Sequence, residues 1–160
     1  MSSNNVTNVV IAGLGGQGVI KASDILSGVA FAAGLDVKKS EIHGMSQRGG
    51  SVSSDVRFGP EVFSPMVPLG EAEFLLVTAA EQVEVFRPCL RSGGVLIEPS
   101  QLDAAKLPSQ KCVNVALLGA LSCYLNFDEE QWHEALRHNL AAKLHEINFA
   151  AFALGREARQ

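Results

Sequence analysis

Cysteine is scarce in this 160-residue chain, and the three that occur, Cys89, Cys112 and Cys123, are well separated. They form no CxxC pair, which excludes the usual ligand spacing for zinc or an iron–sulfur cluster. In their apolar surroundings they read as buried reduced thiols, because free cysteine behaves as a small hydrophobe. The four histidines contain no HExxH arrangement, and no bound metal is expected. Long apolar runs are missing too. The longest mostly apolar stretch, Val113 to Leu125, is too short to span a bilayer. Met1 to Asn5 lacks the charged start and apolar core of a signal peptide, so a cytoplasmic protein without membrane contact is expected. Neither sign of charge dominates: 17 acidic against 13 basic residues leave a formal charge of −4, and no global field favours nucleic acid. What remains is 47% hydrophobic content, enough for one compact domain over 1–160.

The apolar pattern alternates between strand and helix. Val9-Val10-Ile11-Ala12 is a β-branched run that ends in Gly13-Leu14-Gly15-Gly16-Gln17-Gly18. Val19, Ala22, Leu26, Val29, Ala30 and Ala33 then recur at helical spacing, with Gly34 fitting the position past the helix end. Asp36 to Glu41 follows as a second strand beside the first, which makes a right-handed βαβ unit with parallel strands. Between Ser51 and Phe58, apolar Val52, Val56 and Phe58 oppose Ser51, Ser53, Asp55 and Arg57, the pattern of a half-exposed strand. After Gly59-Pro60, Glu61 to Ser64 is placed to return antiparallel, which makes the sheet mixed. Glu73 to Thr78 is a central strand. A helix carrying Val83, Phe86 and Leu90 inward, distorted by Pro88, leads through Gly93-Gly94 to a strand at Val95-Leu96-Ile97. Cys112 to Val115 reads as a last short strand, and Ala116 to Tyr124 is compatible with a helix. Asp128 and Gln131 form a capping pair ahead of Trp132 and Leu136, and Leu140 to Leu154 is a final amphipathic helix. The sum is an α/β fold, a three-layer α/β/α sandwich around a mostly parallel, mixed sheet with a Rossmann-like start.

Two segments carry candidate chemistry. Gly13, Gly15 and Gly18 satisfy GxGxxG between a strand and a helix, where glycines permit a tight turn and let phosphate reach free helix amides. Glu41, at the end of the second strand, stands where a dinucleotide-binding protein keeps its ribose acid. Gly16 and Gln17 are unusual for a nicotinamide fingerprint, so the turn favours a general anion or adenylate site or a purely structural bend. The second segment, Ser40 to Ser51, holds His43, Gln47, Arg48, Gly49, Gly50 and Ser51 between two strands. In a doubly wound sheet it emerges on the same edge as the Gly13 turn. There Arg48 and nearby amides would offer a guanidinium fork and backbone donors to an anion. Neighbours in an extended segment point to opposite faces, so His43, Glu41 and the serines make a poor triad, and no catalytic residue is assigned.

These residues carry a resemblance. The GLGGQG turn at 13–18, the SEIHGMSQRGGSV segment at 40–52, Val56-Arg57 and Ser64-Pro65 resemble the gamma domain of the 2-oxoacid:ferredoxin oxidoreductases. Asn114, Leu118-Gly119, Asn148, Ala151-Phe152 and Gly155 extend the likeness over nearly the whole chain. The HGMSQRGG wording is closest to the indolepyruvate branch. The stretch between Ile97 and Asn114 looks short for the family. The resemblance implies a subunit of an enzyme that converts an aryl 2-oxoacid, coenzyme A and oxidised ferredoxin into acyl-CoA, carbon dioxide and reduced ferredoxin. It further implies thiamine diphosphate and [4Fe–4S] clusters on a large partner subunit, since this chain shows no motif for either. Gly13, Gly15, Gly16, Gln17 and Gly18 with His43, Gln47, Arg48, Gly49, Gly50 and Ser51 would then meet coenzyme A or the partner's active site. A freestanding nucleotide-binding protein and a purely structural subunit are the competing readings. Self-association of the isolated chain stays open.

Overall fold

The computed structural model describes residues 5–43 and 50–159, and for His43 the backbone only. Ten regular elements follow one another: β1 (Thr7–Leu14), α1 (Val19–Ala32), β2 (Asp36–His43), β3 (Ser51–Gly59), β4 (Ala72–Val77), α2 (Val83–Phe86), β5 (Leu90–Ile97), α3 (Val113–Ser122), α4 (Glu129–Asn139) and α5 (His145–Glu157). The strands form one sheet in the order β2-β3-β1-β4-β5. β1 is central, parallel to β4 with Val9 opposite Phe74, and antiparallel to β3 with Val9 opposite Val56. β5 runs parallel to β4, and β2 runs antiparallel to β3. Four strands therefore point one way and β3 points the other. The mixed, mostly parallel sheet expected from the sequence is present.

The first βαβ unit differs from expectation in one respect. β2 is parallel to β1 but not beside it, because β3 inserts between them and pairs with both. Nor is β3 half-exposed: Ser53, Ser54 and Asp55 are buried on it. The covering segment 60–71 pays for that burial with hydrogen bonds, since Val67 N–H donates to Asp55 Oδ2 at 2.9 Å and Arg57 donates to the Ser64 carbonyl at 2.8 Å. Burial nevertheless holds the Asp55 carboxyl above its ordinary range, against the pull of the Val67 amide and Arg57. Glu61 to Ser64 is irregular chain, not a returning strand. Its backbone is tied sideways, with Val62 N–H donating to Asp36 Oδ2 at 2.8 Å.

All the long helices lie on one face of the sheet. Val9, Ile11, Val56, Leu76 and Ile97 pack there against α1, α3, α4 and α5 around Trp132 and Phe152. The other face is covered thinly, by segment 60–71 and by the turns at 80–89, over Val10, Ala12, Leu75 and Val77. The helix expected around Val83 to Leu90 shrinks to the single turn of α2 between two 3-10 turns, and Leu90 already belongs to β5. Residues 112–115 are not a strand: a 3-10 turn at Gln110–Cys112 runs straight into α3. The capping pair is real, with both Asp128–Gln131 reciprocal bonds formed at the start of α4. Of the three thiols, Cys112 is buried, Cys89 is half-buried and Cys123 is exposed, which corrects the expectation for Cys123. α3 and α5 cross so closely that a Cβ at Gly155 would lie 1.7 Å from the Ala116 carbonyl oxygen, and one at Gly119 would lie 2.1 Å from that of Phe152.

Candidate functional site

The site begins where β1 ends. Gly13 is still paired in the sheet, and a Cβ there would stand 1.8 Å from Thr78 Oγ1 at the end of β4, so only glycine allows the two strand ends to meet with Thr78 in place. Gly16 and Gly18 turn the chain with φ of 86° and 75°, the left-handed region that favours glycine. The Gln17 side chain folds back into this turn. Its Oε1 accepts from Leu14 N–H at 2.9 Å and from the Thr78 hydroxyl at 2.7 Å. Gln17 thus fixes the turn to β4, and that oxygen is committed within the protein.

The second segment reaches the same edge, as the sequence led one to expect. Gly15 N–H donates to the Gly50 carbonyl at 3.0 Å, and Leu14 pairs with Ser51 across the β1–β3 ladder. The Ser51 hydroxyl donates to Gln82 Oε1, linking the edge to the turns that follow β4. Gln47, Arg48 and Gly49 lie outside the described residues, as does the side chain of His43. Glu41 is not near the turn's axis: β3 intervenes, and Glu41 pairs with Lys39. Although burial pulls it down, the Lys39 ammonium is held above its ordinary value by the Asp24 and Glu41 carboxylates. Glu41 is therefore not a ribose acid beside the glycine turn.

Beyond Gly18 opens a crevice of about 650 Å³. One wall is the glycine turn and the first turn of α1; the others are residues 109–115 and the entry to α5 around Leu144, Ile147 and Asn148. Helix α1 starts with no side-chain cap and no acidic residue in its first turn, so its free amides and partial positive charge are unanswered by a side chain. Lys21 and Lys111 both line the crevice. Asn114 holds the helix start, its Nδ2 donating to the Gly18 carbonyl at 3.1 Å. A Cβ on Gly18 would fall 2.3 Å from that Nδ2, a second reason for glycine there. The buried Asn114 Oδ1 has no hydrogen-bond partner among the described residues, so the crevice offers one uncommitted acceptor beside several donors.

The described lining is chemically suited to an anion, with two lysines and the free amides of α1. Among the described residues its lining contains no carboxylate and no imidazole. Its one thiol, Cys112, is pushed up by burial and stays protonated. Thr78, Lys21 and Lys111 were not singled out from the sequence, and Asn114 and Asn148 were noted only for the resemblance. They come from four separate stretches, and no local motif announces that they share one crevice.

A sequence model of the family described as "Pyruvate ferredoxin/flavodoxin oxidoreductase" matches residues 8–158. The chain is 36% identical to "Indolepyruvate oxidoreductase subunit IorB" of Thermococcus kodakarensis over 193 aligned positions, covering 94% of this chain and 95% of that one. Among solved structures, the gamma subunit of keto/oxoacid ferredoxin oxidoreductase from Geobacter sulfurreducens superposes with a TM-score of 0.80 at 24% identity, covering 96% of this chain and 98% of its own. The 2-oxoglutarate:ferredoxin oxidoreductase from Magnetococcus marinus, solved with 2-oxoglutarate, coenzyme A and succinyl-CoA bound, gives a TM-score of 0.83 at 20% identity. This chain is matched over 96% of its length there, but accounts for 31% of that longer chain. At those identities the two structures speak for the fold alone.

Proposed function

The chain belongs to the pyruvate ferredoxin/flavodoxin oxidoreductase family, and from that membership we propose what its glycine edge contributes to the enzyme. It is a small subunit of a 2-oxoacid:ferredoxin oxidoreductase rather than a freestanding nucleotide-binding protein. The proposed reaction is oxidative decarboxylation of indolepyruvate or another aryl 2-oxoacid to the acyl-CoA and carbon dioxide, with ferredoxin as electron acceptor. Thiamine diphosphate and [4Fe–4S] clusters reside on the larger subunit in this reading and supply the carbanion and electron-transfer chemistry. The small subunit binds and orients.

One observation carries the assignment of coenzyme A to this chain: the uncapped start of α1 opens into a crevice bearing Lys21 and Lys111 and, among the described residues, no acidic group. Phosphate groups suit free helix amides and lysine ammoniums, and the Asn114 Oδ1 suits an N–H or O–H of the same ligand. Gly13, Gly15, Gly16, Gln17 and Gly18 shape the turn, Gly50 and Ser51 stand beside it, and we assign His43, Gln47, Arg48 and Gly49 the task of meeting coenzyme A or the partner. The expected consequence is specific. Lys111→Ala should raise KM for coenzyme A about 10-fold, the loss of one charge-assisted hydrogen bond of about 1.5 kcal/mol, and leave KM for the 2-oxoacid unchanged. Equal coenzyme A dependence in Lys21→Ala, Lys111→Ala and wild-type enzyme would remove the crevice from the binding path.

A further inference from the structure

The sheet's thinly covered face displays an apolar surface that the glycine edge does not use. Eight large hydrophobic residues stand exposed among the described ones, and four of them, Phe63, Met66, Leu69 and Val85, sit on the two short segments covering this face. Phe63 is 75% exposed and Leu69 is 79% exposed. The two segments adjoin, since a Cβ on Gly70 would stand 3.8 Å from the Pro88 carbonyl. Their inward side chains, among them Val67, Val83 and Phe86, already fill the space over Val10, Leu75 and Val77, so the outward ones are left exposed among the described residues. An α/β sheet of parallel strands ordinarily has helices on both faces. Here the second layer is one helical turn and irregular chain.

The rim of this surface has one dominant sign. Glu61, Glu71, Glu81 and Glu84 are all exposed on the same two segments, against the single exposed cation Arg87, which is spent on Glu84 through bonds of 2.8 to 3.1 Å. A two-fold pairing of identical copies would bring these glutamates against one another, and like charges across an interface are costly. An apolar centre with an acidic rim fits a different protein that carries its own apolar patch and a basic rim.

We propose that the surface of Phe63, Met66, Leu69 and Val85 is the seat of the enzyme's larger subunit. The inference rests on the small-subunit reading given above and adds where the two chains meet. The Ser51–Gln82 hydrogen bond makes this face continuous with the glycine edge, so one partner surface can cover both. In the longer Magnetococcus chain the counterpart fold occupies about a third of the polypeptide, where attached chain is available in cis to cover such a face. A separate subunit must be recruited by its surface.

The test uses the full-length chain and its cognate larger subunit, with the dissociation constant measured by sedimentation and turnover measured separately. Phe63→Asp/Leu69→Asp should weaken association at least 100-fold while its circular dichroism and thermal midpoint stay those of wild type, because both side chains are exposed. Phe31→Asp, a control on the helical face, should associate as wild type does. Lysine substitution of Glu61 and Glu84 should weaken association about 10-fold and reduce its response to salt. If Phe63→Asp/Leu69→Asp binds and turns over like wild type, the seat is elsewhere although the small-subunit reading survives. If the variant instead only turns a homodimer into a monomer, the occupant is a second copy and the proposal is overturned. Failure of the wild-type chains to associate or to act jointly would bring down the small-subunit reading itself.

Discussion

Replacing Gly13 by alanine asks whether the strand ends behind the site are as tightly fitted as they look. Gly13 keeps an ordinary strand conformation, so the added methyl causes no backbone strain; its whole cost is contact. That Cβ would lie 1.8 Å from Thr78 Oγ1 and 3.0 Å from Gln17 Oε1. The Thr78 hydroxyl must rotate away, giving up its 2.7 Å bond to Gln17. Overpacking of about 2 kcal/mol and a lost hydrogen bond of about 1 kcal/mol together predict a destabilisation of about 3 kcal/mol. Thr78→Ala alone should cost about 1 kcal/mol, because Gln17 Oε1 keeps the Leu14 amide. In the double variant the hydroxyl is absent and its loss is not counted twice. Urea unfolding of the four proteins should therefore show the double variant at least 1 kcal/mol more stable than the sum of the single effects. Strict additivity would mean that the hydroxyl is not what excludes a side chain at position 13.

Gly155→Ala should destabilise more, at about 3 kcal/mol or above, since the new methyl meets the Ala116 backbone oxygen and α3 and α5 must separate; urea midpoints check this, and a near-neutral effect would refute the close crossing. Asp55 gives a pH test. Its pKa is raised in the folded protein above the ordinary 3.8, so the native state holds the proton more tightly. This contribution to stability is full below the unfolded value and is lost as pH rises through the folded one. Asp55→Asn keeps an acceptor for the Val67 amide and removes the titration, so it should be at least as stable as wild type at pH 7 and flatter in its pH profile above 3.8; a marked loss of stability at pH 7 would show that the negative charge is needed. Arg48→Ala should raise KM for coenzyme A or weaken subunit assembly while leaving the thermal midpoint alone, and identity with wild type in both would take Arg48 out of the site.

The elements legible in the sequence are those whose signal is local. The β1–glycine turn–α1 unit is one, because the period switches from strand to helix across a run of glycines. The Asp128–Gln131 cap and the apolar stripe of α5 are others. Strand order is not local: nothing in Ser51 to Phe58 says that it slips between β1 and β2, and the periodicity is the same for a neighbour or for an intruder. The polar side of β3 reads as solvent-facing because the groups that satisfy it, the Val67 amide and the Ser64 carbonyl, are backbone atoms of a segment without regular structure. Cys112 to Val115 is β-branched and apolar enough for a strand, and too short for periodicity to tell it from a helix start. Within the site, the glycines and Gln17 were visible from the motif, but Gln17 turned out to brace the turn. The crevice itself, built by Lys21, Thr78, Lys111, Asn114 and Asn148, exists only once distant stretches meet.

Reduction of a viologen dye with indolepyruvate and coenzyme A, measured for the larger subunit with and without this chain, tests the central claim most directly. Activity that requires both chains and falls away without coenzyme A is the predicted result. Turnover by the larger subunit alone, unchanged on adding this chain, would contradict it.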